Sequence, residues 1–293
     1  NDFMNLDANR YAHDLLDLFQ SGEFKKIIDL SVELGAELAN NPLAHDVIAA
    51  SNFKLGHLEA AITHYSRSLL LEPNNPESSH NLAVIYMDLG RFDNAIDCFN
   101  NAVASKADYV QAHFGIGNIY QIQKLHEKAI QKYQTVLDLE PEYEEALNNL
   151  GATFLEIGKP KEAVPFLQRL VAKNPQYGDA FFNLGLAHKL NGDEHKAIEN
   201  FAHAVDLKPD DSSFWETLGS ALSISGVSNL PYDSFYETVF LNLLKRKSTH
   251  NPHIIAPAIL QFLFKNPIFA QHVRNGSEIK NNNDLCAQAI KDF

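Results

Sequence analysis

Few residues in this 293-residue chain stand at spacings that chemistry would need. Gly115-Ile116-Gly117-Asn118-Ile119-Tyr120 has two glycines in the manner of a phosphate-cradling loop, but the third glycine is missing and no strand precedes it. His126-Glu127 opens like a helical zinc motif, yet Ile130 stands where the second histidine belongs. His188, His195 and His203 lie near one another in sequence, but the chain's periodicity places them on a first helix, at a turn and on a second helix. No metal-ligand geometry follows from that placement. Two cysteines far apart, Cys98 and Cys286, give no disulfide framework or zinc pattern, and reduced intracellular thiols are expected. Asn275-Gly276-Ser277 is a glycosylation sequon without a secretory context. Lys245-Arg246-Lys247 is too short for a nucleic-acid patch and instead suits the negative end of a helix. No catalytic residue, metal site or cofactor is expected.

The elements that hold these residues are dictated by a repeat. Ala61, Ala95, Ala129, Ala163 and Ala197 recur every 34 residues. Gly56, Gly90, Gly158, Gly192 and Gly226 recur five residues before the alanine register, with Lys124 in the one exceptional place. Pro73, Pro141, Pro175 and Pro209 recur twelve residues after it, with Ala107 filling the gap. Tyr65, Phe99, Tyr133, Leu167 and Phe201 fill the slot four after the alanine. A Leu or Ile followed by a small residue recurs as Ile48-Ala49, Leu82-Ala83, Ile116-Gly117, Leu150-Gly151, Leu184-Gly185 and Leu218-Gly219.

Each slot has a physical task. The glycine closes the first helix of a pair, where positive φ is needed. The alanine marks a close helix crossing that a larger side chain would push apart. The proline cannot continue the second helix and fixes the exit of the chain. The small residue after Leu or Ile admits the partner helix. This pattern resembles the tetratricopeptide repeat over roughly residues 8–226, with units beginning near Ala8, Pro42, Pro76, Val110, Glu144, Gly178 and Ser212. The first unit is degenerate: it keeps Tyr11, Gly22 and Phe24 but has Ile27 in the alanine slot and no proline. The last keeps Trp215, Leu218 and Gly219 and loses register at Pro231. Atypical end units are what a stacked array needs, because its end faces lack a neighbour.

The expected fold is all-α: a right-handed α-solenoid of helix–turn–helix repeats with a C-terminal helical extension. Residues 1–41 read as a degenerate capping repeat, 42–211 as five repeats, 212–232 as a partial repeat and linker, and 233–293 as the extension. Residues 227–233 read as a linker, and 234–247 as an amphipathic helix carrying Phe235, Val239, Phe240, Leu243 and Leu244. A further helix is expected over 253–264, another starting at Asn266-Pro267, a polar loop over 274–283, and a last helix opened by Asp284. That last helix stops as its face begins to show, from which a longer natural chain is expected.

Composition agrees with a globular protein, at 45% hydrophobic and 21% charged residues. A net charge of −13 disfavours duplex nucleic acid and anionic membranes, which need clustered Lys and Arg. Apolar stretches such as 236–244 and 254–264 fall short of the ~20 residues of a membrane span. No signal peptide is visible in residues 1–20, which Asp2, Asp7, Asp14 and Asp17 interrupt, so a cytoplasmic location is expected.

What is left is a binding surface. The tetratricopeptide resemblance implies that positions 2, 5, 6, 9, 12 and 13 of each unit face a concave groove. Position 6 is Val47, Asn81, Gly115, Asn149, Asn183 and Thr217. Asparagine amides both donate and accept, so Asn81, Asn149 and Asn183 could pair with the backbone of an extended peptide whatever its sequence. A similar asparagine row occurs in the solenoid of O-GlcNAc transferase, where it holds polypeptide. His80, Phe114, Asn118, Asn148, Phe182 and Lys189 stand nearby. Phe114 and Phe182 would either anchor apolar ligand side chains or pack against the next repeat. Position 2 runs Leu43, Glu77, Gln111, Glu145, Asp179 and Ser213, and positions 2, 5 and 6 hold no Lys or Arg, which tells against the carboxylate clamp of chaperone-binding relatives.

The expectation is therefore a non-enzymatic interaction scaffold that binds a protein or extended peptide through Asn81, Asn149, Asn183, Phe114, Asn118 and Phe182. It would have no nucleic-acid or membrane partner, and self-association into a homo-oligomer is possible. Residues 234–273 weakly resemble the helical segment that follows the repeats in bacterial proteins ending in an S-adenosylmethionine-dependent methyltransferase domain. That resemblance implies an alternative, in which the chain is the substrate-recognition arm of a larger methyltransferase or glycosyltransferase.

Overall fold

Asn41-Pro42 and Asn75-Pro76 show how this sequence starts a helix. The proline takes the first helical position, where its missing N–H is no loss. The asparagine before it is the cap: Asn41 Oδ1 accepts from the Ala44 N–H at 2.9 Å, and Asn75 Oδ1 from the Ser78 N–H at 3.0 Å. The structure, a computed structural model, describes residues 2–225, 233–245, 259, 261–263 and 265, with side chains described for 9–223, 233–243, 259, 261–263 and 265.

By its contacts the chain forms two units, Asn1–Pro141 and Glu142–Phe293. The first contains α1 (Asp2–Gln20), α2 (Phe24–Glu33), α3 (Gly35–Leu38), α4 (Pro42–Lys54), α5 (Leu58–Leu71), α6 (Pro76–Asp88), α7 (Phe92–Ser105), α8 (Val110–Ile122) and α9 (His126–Leu139). There α4 pairs with α5, α6 with α7 and α8 with α9, α5 and α7 each pack on the next pair, and α1 and α2 cover α4. The second contains α10 (Glu144–Glu156), α11 (Pro160–Lys173), α12 (Gly178–Leu190), α13 (Glu194–Leu207), α14 (Ser212–Ser225) and α15 (Ser234–Lys245). There α10 pairs with α11 and α12 with α13, α11 packs on α12, and α14 and α15 pack on α13. The fold class is the expected one, an all-α stack of helix pairs, and no strand occurs among the described residues.

The expected unit starts at Pro42, Pro76, Val110, Glu144, Gly178 and Ser212 are the first residues of α4, α6, α8, α10, α12 and α14. The degenerate first repeat departs from the pattern. Its first helix begins at Asp2, ahead of Ala8, and its second is interrupted at Leu34, beyond which Gly35 opens the four-residue α3. Glycine is a poor helix former, so the interruption falls where propensity is weakest. Ile27 is fully buried in the slot that alanine fills elsewhere.

The turn inside each pair has one geometry. Gly22, Gly56, Gly90, Gly158 and Gly192 all have φ between 70° and 80°. The N–H after each glycine reaches five residues back, as in His57 to Asn52 O at 2.8 Å and Lys159 to Phe154 O at 2.8 Å. This is the Schellman closure, which satisfies carbonyls that the helix end leaves open. Lys124 makes the same turn at φ 59°, a conformation that costs an L-residue ~1 kcal/mol or more.

All five periodic alanines are fully buried. The small residue of the first helix is equally constrained. A Cβ on Gly117 would lie 2.7 Å from Tyr133, one on Gly151 2.6 Å from Leu167, and one on Gly185 2.6 Å from Phe201. These partners are the large residues four after the alanine, so the two slots fill each other.

Asp233 caps α15 by accepting from the Phe235 N–H at 2.7 Å, and Val239, Phe240, Leu241 and Leu243 are buried along that helix. The Phe240 ring meets that of Phe262 edge-on at 5.1 Å. Gly226, the linker at 227–232, Arg246 and Lys247 lie outside the described residues. So do most of the helix expected over 253–264, the start at Asn266-Pro267, the polar stretch 274–283 with its sequon, Cys286 and the helix from Asp284. No helix among the described residues is long and apolar enough to cross a membrane.

Candidate peptide-binding faces

The first unit opens a cleft of about 320 Å³ between α1, α4 and α6. Its walls come from the inward positions of the repeat: Leu43, Asp46, Val47 and Ala50 on α4, with Glu77 and Asn81 on α6. A second cleft of about 330 Å³ continues it through Phe53, Lys54 and Val84, which are inward positions too. The two share Phe19 of α1, Ala50, Tyr65 of α5 and Asn81.

Asp46 is the half-buried charge of this face. Ser78, itself buried, donates its hydroxyl to Asp46 Oδ1 at 2.7 Å. Burial raises the Asp46 pKa above the usual carboxylate range, against hydrogen bonds from Ser68 and Ser78 and a small His45 contribution, and the Glu72 charge adds to the rise. The Tyr65 ring is almost wholly buried and its hydroxyl bonds with Asn81. Burial, followed by the Asp46 charge, pushes the Tyr65 phenol upward, so it stays neutral. Asn81 itself is exposed.

In the second unit three amides form a chain. Asn183 Nδ2 donates to Asn148 Oδ1 at 3.0 Å, and Asn148 Nδ2 points to Asn149 Oδ1 at a long 3.5 Å. All three are half-buried on the first helices α10 and α12. Phe182, by contrast, is committed to the protein itself. Its ring stacks on Phe214 at 4.2 Å and 8° and lies 5.7 Å from Phe201.

The remaining candidates have local partners. Phe114 is half-buried and tilts against Tyr133 at 5.8 Å. The Tyr133 hydroxyl lies 2.7 Å from both Asn118 Oδ1 and Gln121 Oε1, and with one proton it donates to one at a time. Gly115, at position 6, is a socket: any Cβ there would collide with the Phe99 ring. The sequence candidates thus divide, Asn81 on the first unit's cleft and Asn149 with Asn183 in the second unit's amide chain.

The histidines of the apparent cluster serve three places. His188 is buried with Nδ1 4.0 Å from an Asp193 carboxylate oxygen, and His203 lies between Phe181 at 5.1 Å and Phe235 at 4.7 Å. His195 follows the turn, at the start of α13. No group of three or more His, Cys, Asp or Glu suited to a metal ion occurs among the described residues. Burial pushes the Cys98 thiol up to about 11, which keeps it protonated and unreactive near neutral pH.

Sequence reasoning passed over Asp46 and Tyr65. A signal for Asp46 existed, since it occupies position 5 of the unit that begins at Pro42. Tyr65 belongs to a second helix, where the repeat pattern calls only for an aromatic or large apolar residue. That its hydroxyl also reaches the inner face depends on the close approach of α5 to α6.

Tetratricopeptide repeat models match residues 80–144, 122–185 and 178–211, and a TPR repeat model matches residues 51–90. Residues 51–211 are tetratricopeptide repeats. Solved tetratricopeptide structures agree at the level of fold. A crystal structure of MamA protein aligns with a TM-score of 0.53 and 23% identity, covering 59% of this chain and 94% of that one. YrrB, described as a TPR protein with an unusual peptide-binding site, aligns with a TM-score of 0.53 and 20% identity over 65% of this chain and 95% of that one. MamA from Desulfovibrio magneticus RS-1 gives a TM-score of 0.50 at 22% identity over 58% and 93%. The resemblance expected between residues 234–273 and methyltransferase-linked segments finds no support in these matches. No curated protein matches the sequence.

Proposed function

We propose that this chain is a non-catalytic cytoplasmic scaffold whose first-helix faces bind an extended segment of a protein or peptide. The observation that carries this reading is the amide chain Asn183–Asn148–Asn149. An amide has two N–H groups and two acceptor lone pairs, and the bonds between Asn183 and its neighbour use only part of that capacity. Holding one amide by another fixes its rotamer before a ligand arrives, which lowers the entropy cost of binding. Main-chain N–H and C=O groups are the natural complement, because an extended segment presents them at regular intervals whatever its side chains. The peptide-binding site ascribed to YrrB, a protein of the same fold, is consistent with this reading.

The test is selection from a random-hexapeptide library displayed on phage, followed by affinity measurement of the selected peptides. Asn149→Ala combined with Asn183→Ala should weaken those peptides about tenfold, the loss of one to two well-formed hydrogen bonds. Its thermal unfolding should move little, since substitutions on a partly exposed face rarely exceed ~0.5 kcal/mol. Selection of no peptide, or equal affinity for both proteins, would refute the reading.

A further inference from the structure

We propose that the cleft between α1, α4 and α6 receives a lysine or arginine side chain of a bound protein or peptide segment, with Asp46 as its counter-charge. The inference rests on the peptide-binding reading and names what the first unit would select. Three observations support it. Asp46 lines a cleft whose other walls are largely apolar, among them Phe19, Leu43, Val47 and Ala50. Its carboxylate is oriented by the Ser78 hydroxyl at 2.7 Å, so the charge occupies a fixed place. Glu77 also lines the cleft, and no lysine or arginine does among the described residues; Lys54 belongs to the adjoining cleft.

A half-buried carboxylate has lost part of its hydration; burial is the largest influence on the Asp46 carboxyl, and the cationic influence, from His45, is the smallest. A side chain that brings an ammonium or guanidinium group there supplies the missing counter-charge. Lysine and arginine also carry long apolar stems, which fit the Leu43 and Ala50 wall while the head reaches Asp46. An acidic side chain would face Asp46 and Glu77 together, and a neutral polar one would leave the carboxylate without a charge partner from the ligand. The net charge of −13 draws cationic segments toward the protein generally, and the cleft gives one such residue a defined seat.

Hexapeptides selected on the Asn149→Ala/Asn183→Ala protein provide the probe, since a peptide that binds there does not depend on the amide chain. We expect enrichment of an internal Lys or Arg flanked by apolar residues. Asp46→Asn keeps an oxygen to accept from Ser78 while removing the charge, and it should weaken these peptides about tenfold. Replacing the peptide cation with norleucine should produce a similar loss on the unaltered protein, which keeps the test valid should the variant fold poorly. Affinity should also fall as salt is raised from 0.05 to 0.5 M. Peptides without a cation, or full affinity of Asp46→Asn for them, would overturn the inference. If the peptides selected on the wild-type protein still lose affinity on the Asn149→Ala/Asn183→Ala protein, the scaffold reading survives and only the Asp46 assignment fails. Absence of any selected peptide removes both.

Discussion

The two units are built from one repeat, yet their inner faces have been put to different uses. In the first unit the inward positions line a cleft, with the Asp46 carboxylate and the Asn81 amide set among apolar side chains. In the second, position 5 of α12 is Phe182, whose ring lies flat on Phe214 of the next helix. The place that Asp46 leaves open on α4 is taken up on α12 by the chain's own aromatic packing. The repeat fixes how helices pack, while the residue at position 5 differs in what it meets: Asp46 lines a cleft, and Phe114 and Phe182 lie against the chain's own rings.

The largest expected effect separates those two uses. Phe182→Ala should lower stability by about 2–4 kcal/mol, because the stacked ring is lost and a cavity remains. Asp46→Asn should leave unfolding within ~0.5 kcal/mol. Thermal denaturation of both variants checks this, and equal, small shifts would place Phe182 among ligand-facing residues instead. The shared packing comes next. Ala129→Leu in the first unit and Ala163→Leu in the second should each cost ~1–3 kcal/mol through overpacking, since both alanines are fully buried. An unchanged melting curve for either would contradict the assigned register.

The turn glycines give a smaller contrast of opposite signs. Lys124→Gly should stabilise the first unit and Gly158→Ala destabilise the second, each by about 1 kcal/mol, because both positions need positive φ. Chemical denaturation midpoints moving in the same direction would contradict this. The smallest effect is common to both units. Burial holds His64 and His80 in the first, and His188 and His203 in the second, below the usual imidazole range. Their folded pKa values are depressed, so the unfolded chain binds more protons as pH falls through ~6.5. Stability from these groups is complete above that pH and declines below it. The melting temperature should be lower at pH 5.5 than at pH 7.5, and a rise on acidification would show that other groups dominate.

Local patterns were legible because they depend on neighbours within one repeat. Asn-Pro pairs start α4 and α6, positive-φ glycines end first helices, and buried alanines mark crossings, all at the period read from the chain. The split of the second helix at Leu34 was not legible, since no repeat slot encodes it. The inner face was legible as a set of positions and not as a surface. Asn81 and Gly115 share position 6, yet one is exposed on a cleft and the other is a socket for Phe99.

By itself the sequence determined the helix pairs, their turns and their packing slots, because a 34-residue period repeats the same short-range steric and capping demands in every unit. Only the tertiary structure decided which inward residues remain available. Whether Phe182 meets Phe214, whether Asn148 accepts from Asn183, and how far Asp46 is buried depend on side chains from adjacent repeats, roughly 30 residues away in sequence, arriving at the same place. The physical reason is that accessibility belongs to the space between elements, and that space exists only once they are stacked.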